Sequence, residues 1–119
     1  MALIFVYGTL KRGKSNHHFL AGQRFVRAAR TEPLYRLYLL GNYPGMVLDE
    51  EQGIPIEGEV WDVDLAALAE LDRLEGTHEG LYSRVRVRLA PAYPGEMIET
   101  YLYLRSVAGR PDLGARFDG

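Results

Sequence analysis

Leu3-Ile4-Phe5-Val6-Tyr7-Gly8-Thr9-Leu10-Lys11-Arg12-Gly13-Lys14-Ser15 admits two readings, and they lead to different folds. Gly8 to Ser15 satisfies G-x-x-x-x-G-K-[ST] letter for letter, the pattern whose backbone amides wrap a phosphate between a parallel strand and a helix. The surrounding chain does not support that reading. Between Asn16 and Leu20 there is room for one short helical turn, capped by Ser15 or Asn16 and ended by Gly22. No later apolar strand ends in the carboxylate that would support magnesium; Val60-Trp61-Asp62 comes nearest and fits poorly. No regular strand–helix alternation follows, which disfavours a doubly wound parallel sheet. The physics of a strand ending at glycine still holds. Successive N–H groups there converge into a concavity for an anion, and a carboxylate suits it as well as a phosphate does.

Outward from Ser15, glycine and proline divide the chain. Leu3 to Tyr7 reads as a buried first strand, and Phe25–Arg30 and Leu34–Leu40 as two more, separated by Pro33. Gly41-Asn42-Tyr43-Pro44-Gly45 has loop chemistry, with a short strand Met46–Leu48 behind it. Ile54 to Val63 is extended. Leu65 to Leu74 is the one substantial helix, with Asp64 as its cap, leucines at every third position and Gly76 at its close. Arg84, Arg86 and Arg88 alternate with Val85, Val87 and Leu89, a strand with one charged face. Met97–Leu104 is the last strand, and the turn-rich tail 109–119 is expected to be loosely held. Six or seven strands and one helix predict an α+β fold, a small mixed, mostly antiparallel β-barrel with the helix beside it.

The chain has 119 residues, one domain's worth, and 47% of them are apolar, enough for a single core. Its 14 Lys and Arg against 16 Asp and Glu leave a net charge of −2, which argues against a broad electrostatic grip on nucleic acid or anionic lipid. The absence of cysteine excludes thiol catalysis, disulfides and thiolate metal sites. No apolar run approaches the ~20 residues of a membrane helix, and no basic segment precedes the first strand as in a signal peptide. A cytoplasmic protein is expected.

Glu75 occupies the last turn of the helix, where the partial negative charge of the carbonyl end disfavours an ionised carboxylate. Facing an apolar cavity it would also be desolvated, and both effects move its pKa towards proton transfer near neutrality. Placed in solvent it would be an ordinary surface glutamate. His17 and His18 are adjacent and cannot share a helical face, Asp49-Glu50-Glu51 reads as a solvated turn, and Ser15 and Ser83 lack a nucleophile-elbow context. Neither a metal site nor a cofactor site is read from the sequence.

Phe5-Val6-Tyr7-Gly8-Thr9-Leu10-Lys11-Arg12-Gly13, followed by Asn16-His17, resembles the opening of the γ-glutamylcyclotransferase-like family. The likeness is nearest to its γ-glutamylamine cyclotransferases and their small bacterial relatives. It continues through Tyr43-Pro44-Gly45, Gly58-Glu59-Val60-Trp61, Leu71-Asp72-Arg73-Leu74-Glu75-Gly76 and Tyr82-Ser83-Arg84, from about residue 3 to residue 104. The resemblance implies a small β-barrel with flanking helices. It implies that the loop Tyr7, Gly8, Thr9 and Leu10 holds a glutamyl α-carboxylate through backbone amides, and that Glu75 is the general acid/base.

The activity so implied converts a γ-glutamyl amine or γ-glutamyl amino acid to 5-oxoproline and a free amine, with the substrate's own α-amine as nucleophile. Tyr101 and Tyr103 share a face of the last strand ~7 Å apart. They are placed either to line the substrate pocket and orient Glu75 or to pack as core aromatics. Two alternatives stand beside the enzyme: a non-catalytic binding module for γ-glutamyl or 5-oxoproline ligands, and phosphate or nucleotide binding through residues 8–15. The expected partner is a small-molecule γ-glutamyl substrate, with no nucleic acid and no membrane; the amine released and the oligomeric state are not legible.

Overall fold

The computed structural model describes residues 2–119. Seven strands form one sheet: β1 (Ala2–Val6), β2 (Arg24–Arg30), β3 (Tyr35–Leu39), β4 (Pro44–Leu48), β5 (Glu57–Val63), β6 (Tyr82–Arg86) and β7 (Ile98–Tyr103). The helix α1 spans Leu65–Leu74, and short 3₁₀ turns cover His17–Leu20 and Thr77–Glu79. Strand order is β2-β5-β1-β7-β4-β3, with β6 also paired to β7. The β1–β5, β2–β5, β3–β4 and β6–β7 pairs are antiparallel; β1–β7 and β4–β7 are parallel. The sheet is therefore mixed and mostly antiparallel, as expected. It curls without a continuous closing ladder: Thr31, past β2, meets Leu89, past β6, in a single bridge. No helix among the described residues is long and apolar enough to cross a membrane.

β1 is apolar at every position because both of its faces are covered. Ile4 and Val6 join Leu20, Trp61, Val63, Leu68 and Leu71 beneath α1, whereas Phe5 and Tyr7 face Leu37, Met46, Ile56, Val60 and Ile98. Buried Thr100 contributes a polar tie, its hydroxyl donating to the carbonyl of Phe5 at 2.9 Å.

The helix has the expected bounds and start: the Asp64 carboxylate accepts from the N–H of Ala67 at 2.7 Å. Gly76, at φ +64°, closes it in the left-handed conformation that glycine adopts without penalty. The leucine repeat is only half buried, however. Leu68 and Leu71 face the core while Leu65 is 71% exposed, because steps of three in a helix of 3.6 residues per turn drift steadily around the axis.

Three other expectations are corrected. Pro44 and Gly45 belong to β4 and not to a loop. The arginine-striped strand ends at Arg86, beyond which an isolated bridge at Leu89 replaces the ladder. The tail is not loosely held. Phe117 is buried in the core, and backbone bonds join Leu39 to Pro111, Leu113 to Leu37 and Glu57 to Ala115. Its turn-rich composition hid one deeply inserted aromatic and a set of well-placed peptide groups.

Candidate active site

A fork in the sheet makes the site. β6 runs along one edge of β7 from Glu99 to Tyr103, so β1 and β4 must share the other. β1 pairs with Ile98 and Glu99, and β4 with Leu102. Where one partner leaves and the next arrives, a side chain completes the bonding. The Tyr7 hydroxyl donates to the carbonyl of Tyr101 at 2.6 Å and accepts from the N–H of Met46 at 3.2 Å. Burial pushes the Tyr7 phenol far above its ordinary pKa, so it stays neutral in this role.

Just past the fork lies Gly8. Its φ is not in the left-handed region; glycine is required instead by close approach, since a Cβ would come within 2.5 Å of Pro44 Cγ. The loop that follows is tied down from outside. Arg12 reaches the Glu59 carboxylate through both its N–H and its Nε, and the Trp61 indole donates to the same carboxylate. Lys11 Nζ donates to the carbonyl of Phe117 and Lys14 Nζ to that of Asp118, each at 2.8 Å. Asn16 closes the loop, its backbone donating to the carbonyl of Thr9 and its side chain to the Thr9 hydroxyl. A single 3₁₀ turn follows. These contacts do not suit a phosphate loop: both lysines serve the tail, and the helix such a loop needs is absent at 17–20.

The loop, the end of α1 and the fork enclose a cavity of about 430 Å³. Of the expected site residues, Tyr7, Gly8, Thr9, Leu10, Glu75 and Tyr101 line it, and Tyr103 does not. The Tyr103 ring packs edge-on against Tyr82 instead, 5.3 Å between centroids. Neither Tyr101 nor Tyr103 bonds Glu75; the Tyr101 hydroxyl donates to Asp72 at 2.8 Å. Tyr82, Asn42 and Tyr43, none of them an expected site residue, also line the cavity. For Tyr82 the available signal was its place in the Tyr82-Ser83-Arg84 motif. Among the described residues no lysine, arginine or histidine lines the cavity, and Glu75 is its only charged group. The N–H groups of Thr9 and Leu10 find no acceptor within the described chain.

Glu75 is half-buried at the helix end, its N–H bonded to the carbonyl of Leu71. Its carboxylate receives no hydrogen bond from the described residues, and burial raises its pKa from 4.5 to about 7. A carboxyl group so poised can take up and return a proton near neutrality.

The sequence pattern of the family described as "Gamma-glutamyl cyclotransferase, AIG2-like" matches residues 4–116. The chain belongs to this family. A provisionally named gamma-glutamylcyclotransferase of Vibrio cholerae is 47% identical over 73 residues, 61% of this chain and 61% of that protein. The gamma-glutamylcyclotransferase family protein YtfP of Escherichia coli K12 is 36% identical over 106 residues, covering 89% of this chain and 86% of the relative. Among solved structures, the aig2-like protein of Mus musculus superposes with a TM-score of 0.71 at 30% identity, over 89% of this chain and 78% of that one. The family pattern thus runs through the fork, the loop and the end of α1, and on into the anchored tail of this gamma-glutamyl cyclotransferase family member.

Proposed function

We propose that this protein converts a γ-glutamyl amine or γ-glutamyl amino acid to 5-oxoproline and a free amine, with Glu75 carrying the protons. The observation that carries this reading is the Glu75 carboxyl, pushed up to about 7 and open to the cavity without a hydrogen-bond donor of its own. The unspent N–H groups of Thr9 and Leu10 supply a backbone nest for the substrate's α-carboxylate. With no cationic side chain in the lining, amides are the natural partners for that group.

The α-ammonium gives a proton to Glu75, and the freed amine attacks the γ-carbonyl of the same molecule. The lactam C–N bond forms and the bond to the departing amine breaks. Over one turnover the α-nitrogen gives up two protons, and the amine, leaving as an ammonium ion, takes two. Holding both ends of one substrate in attack geometry is worth up to ~7–11 kcal/mol of the barrier, so no nucleophile from the protein is needed. The test is release of 5-oxoproline from a panel of γ-glutamyl amines and amino acids, by wild type and Glu75→Gln. The variant should lose at least ~10²-fold in turnover while still binding 5-oxoproline. Equal turnover by the two would refute the role of Glu75, and binding without turnover by wild type would make the protein a ligand-binding module.

A further inference from the structure

Four phenols line the cavity with Glu75: the exposed Tyr43 and three buried ones, Tyr7 just past β1, Tyr82 of β6 and Tyr101 of β7. The charge of the Glu75 carboxylate helps hold the three buried phenols protonated. Each has one hydroxyl hydrogen, and each spends it elsewhere. Tyr7 donates to the carbonyl of Tyr101, and Tyr82 to the carbonyl of Pro44 at 2.9 Å. Tyr101 alone relies on a side chain, Asp72. Asp72 lies one helical turn before Glu75 and is itself gripped twice by Arg84, Nε to Oδ1 at 3.0 Å and Nη2 to Oδ2 at 3.3 Å. The third arm of Arg84, Nη1, reaches Glu99 Oε1 at 2.6 Å. This clasp joins the Leu71–Gly76 and Tyr82–Arg84 stretches, to whose aspartate and arginine the sequence alone assigned no role.

We propose that Asp72, held by Arg84, is a positioning residue for the reaction: it commits the Tyr101 hydroxyl hydrogen away from Glu75 and turns the phenol oxygen into an acceptor at the cavity. The inference rests on Glu75 as the proton carrier. A donor aimed at Glu75 would stabilise the carboxylate and weaken it as a base. With the hydrogens of all three buried phenols committed elsewhere, no buried donor competes for the carboxyl, and the Tyr82 and Tyr101 oxygens keep lone pairs for the substrate's α-ammonium.

The test reads Glu75 directly. In protein labelled with ¹³C at glutamate carboxyls, the Glu75 resonance is assigned by its loss in Glu75→Gln and titrated with pH. Asp72→Ala frees the Tyr101 hydroxyl to turn to Glu75, so the midpoint should fall by ~1 pH unit, and the acid limb of kcat/KM should follow. The shift should vanish when Tyr101→Phe is added, which separates a redirected hydrogen bond from the mere loss of a negative charge. Tyr101→Phe alone should leave the midpoint in place, and this arm needs no Asp72 variant to fold. A midpoint unmoved in Asp72→Ala, a shift that persists without the Tyr101 hydroxyl, or a midpoint raised by Tyr101→Phe would each overturn the proposal. If Glu75→Gln turned over like wild type, the proton-carrying reading would fail by itself, and the titration would still report whether Asp72 directs Tyr101.

Discussion

Replacing Glu75 with glutamine should make the protein more stable, by a margin that opens above pH 4.5 and is complete just above pH 7. In the folded chain burial raises this carboxyl from 4.5 to about 7, whereas in the unfolded chain it titrates near 4.5. Below that both states hold the proton, and burial of the neutral acid carries no charge penalty. Between the two values the folded state retains a proton that the unfolded state has lost, so stability falls as pH rises through the window. Above 7 both are ionised and the folded state bears the whole cost of a desolvated carboxylate. At ~1.4 kcal/mol per pH unit that cost is about 3 kcal/mol, an upper figure because water reaches the cavity mouth. Glutamine keeps the shape and never ionises. Urea unfolding of both proteins at pH 5, 6, 7 and 8 gives the difference directly. It should grow in favour of the variant up to pH 7 and then level off, reaching roughly 10 °C in Tm for a domain of this size. A difference that stays constant across the series, or a wild type more stable at pH 8, would refute burial as the source of the raised pKa.

Tyr7→Phe should cost about 2–4 kcal/mol in urea unfolding, because the Tyr101 carbonyl and Met46 N–H lose the hydroxyl that bridges the fork. Gly8→Ala sets a methyl against the Pro44 ring; it should lower stability by about 1–3 kcal/mol and weaken 5-oxoproline binding by calorimetry, and an unchanged melt would contradict the packing. Phe117→Ala should cost about 3–5 kcal/mol, since this ring is 3% exposed; a tail that merely lay on the surface would make the change nearly neutral.

What could be read from the sequence was what neighbours along the chain decide. The helix obeys its own cap and its own glycine, and β1 is apolar throughout because it is covered twice. Pro44 and Gly45 carry the local chemistry of a turn. Their place in β4 comes from distant contacts: Gly8 has no Cβ to exclude the Pro44 ring, and Gly45 leaves room for Leu40 and Tyr103. The burial of Phe117 likewise depends on partners in strands far back along the chain. At the site, the place of Glu75 at the end of α1 was legible from the leucine spacing and Gly76, and the structure sets it on the cavity wall. Asp72 and Tyr82 sat in quoted motifs without a role, because only the curled sheet brings them to Tyr101 and the cavity. Tyr103 shares a strand face with Tyr101, yet Tyr82 covers it, a contact that alternation alone does not reveal.

The bonds that frame the cavity join parts of the chain 94 to 106 residues apart: Tyr7 to Tyr101, Phe5 to Thr100, Lys11 to Phe117. Contacts of such long range are among the slower ones for a folding chain to make. The turn of helix carrying Glu75 can form from local interactions, but the wall opposite it exists only once β7 has settled between β6 and the diverging β1 and β4. A half-folded molecule therefore presents an ordinary solvated glutamate and no pocket. If Glu75 carries the protons of the proposed reaction, such a molecule turns over nothing, so the activity of a preparation would count its fully native molecules, and clearance of incompletely folded chains in a cell would remove none of it.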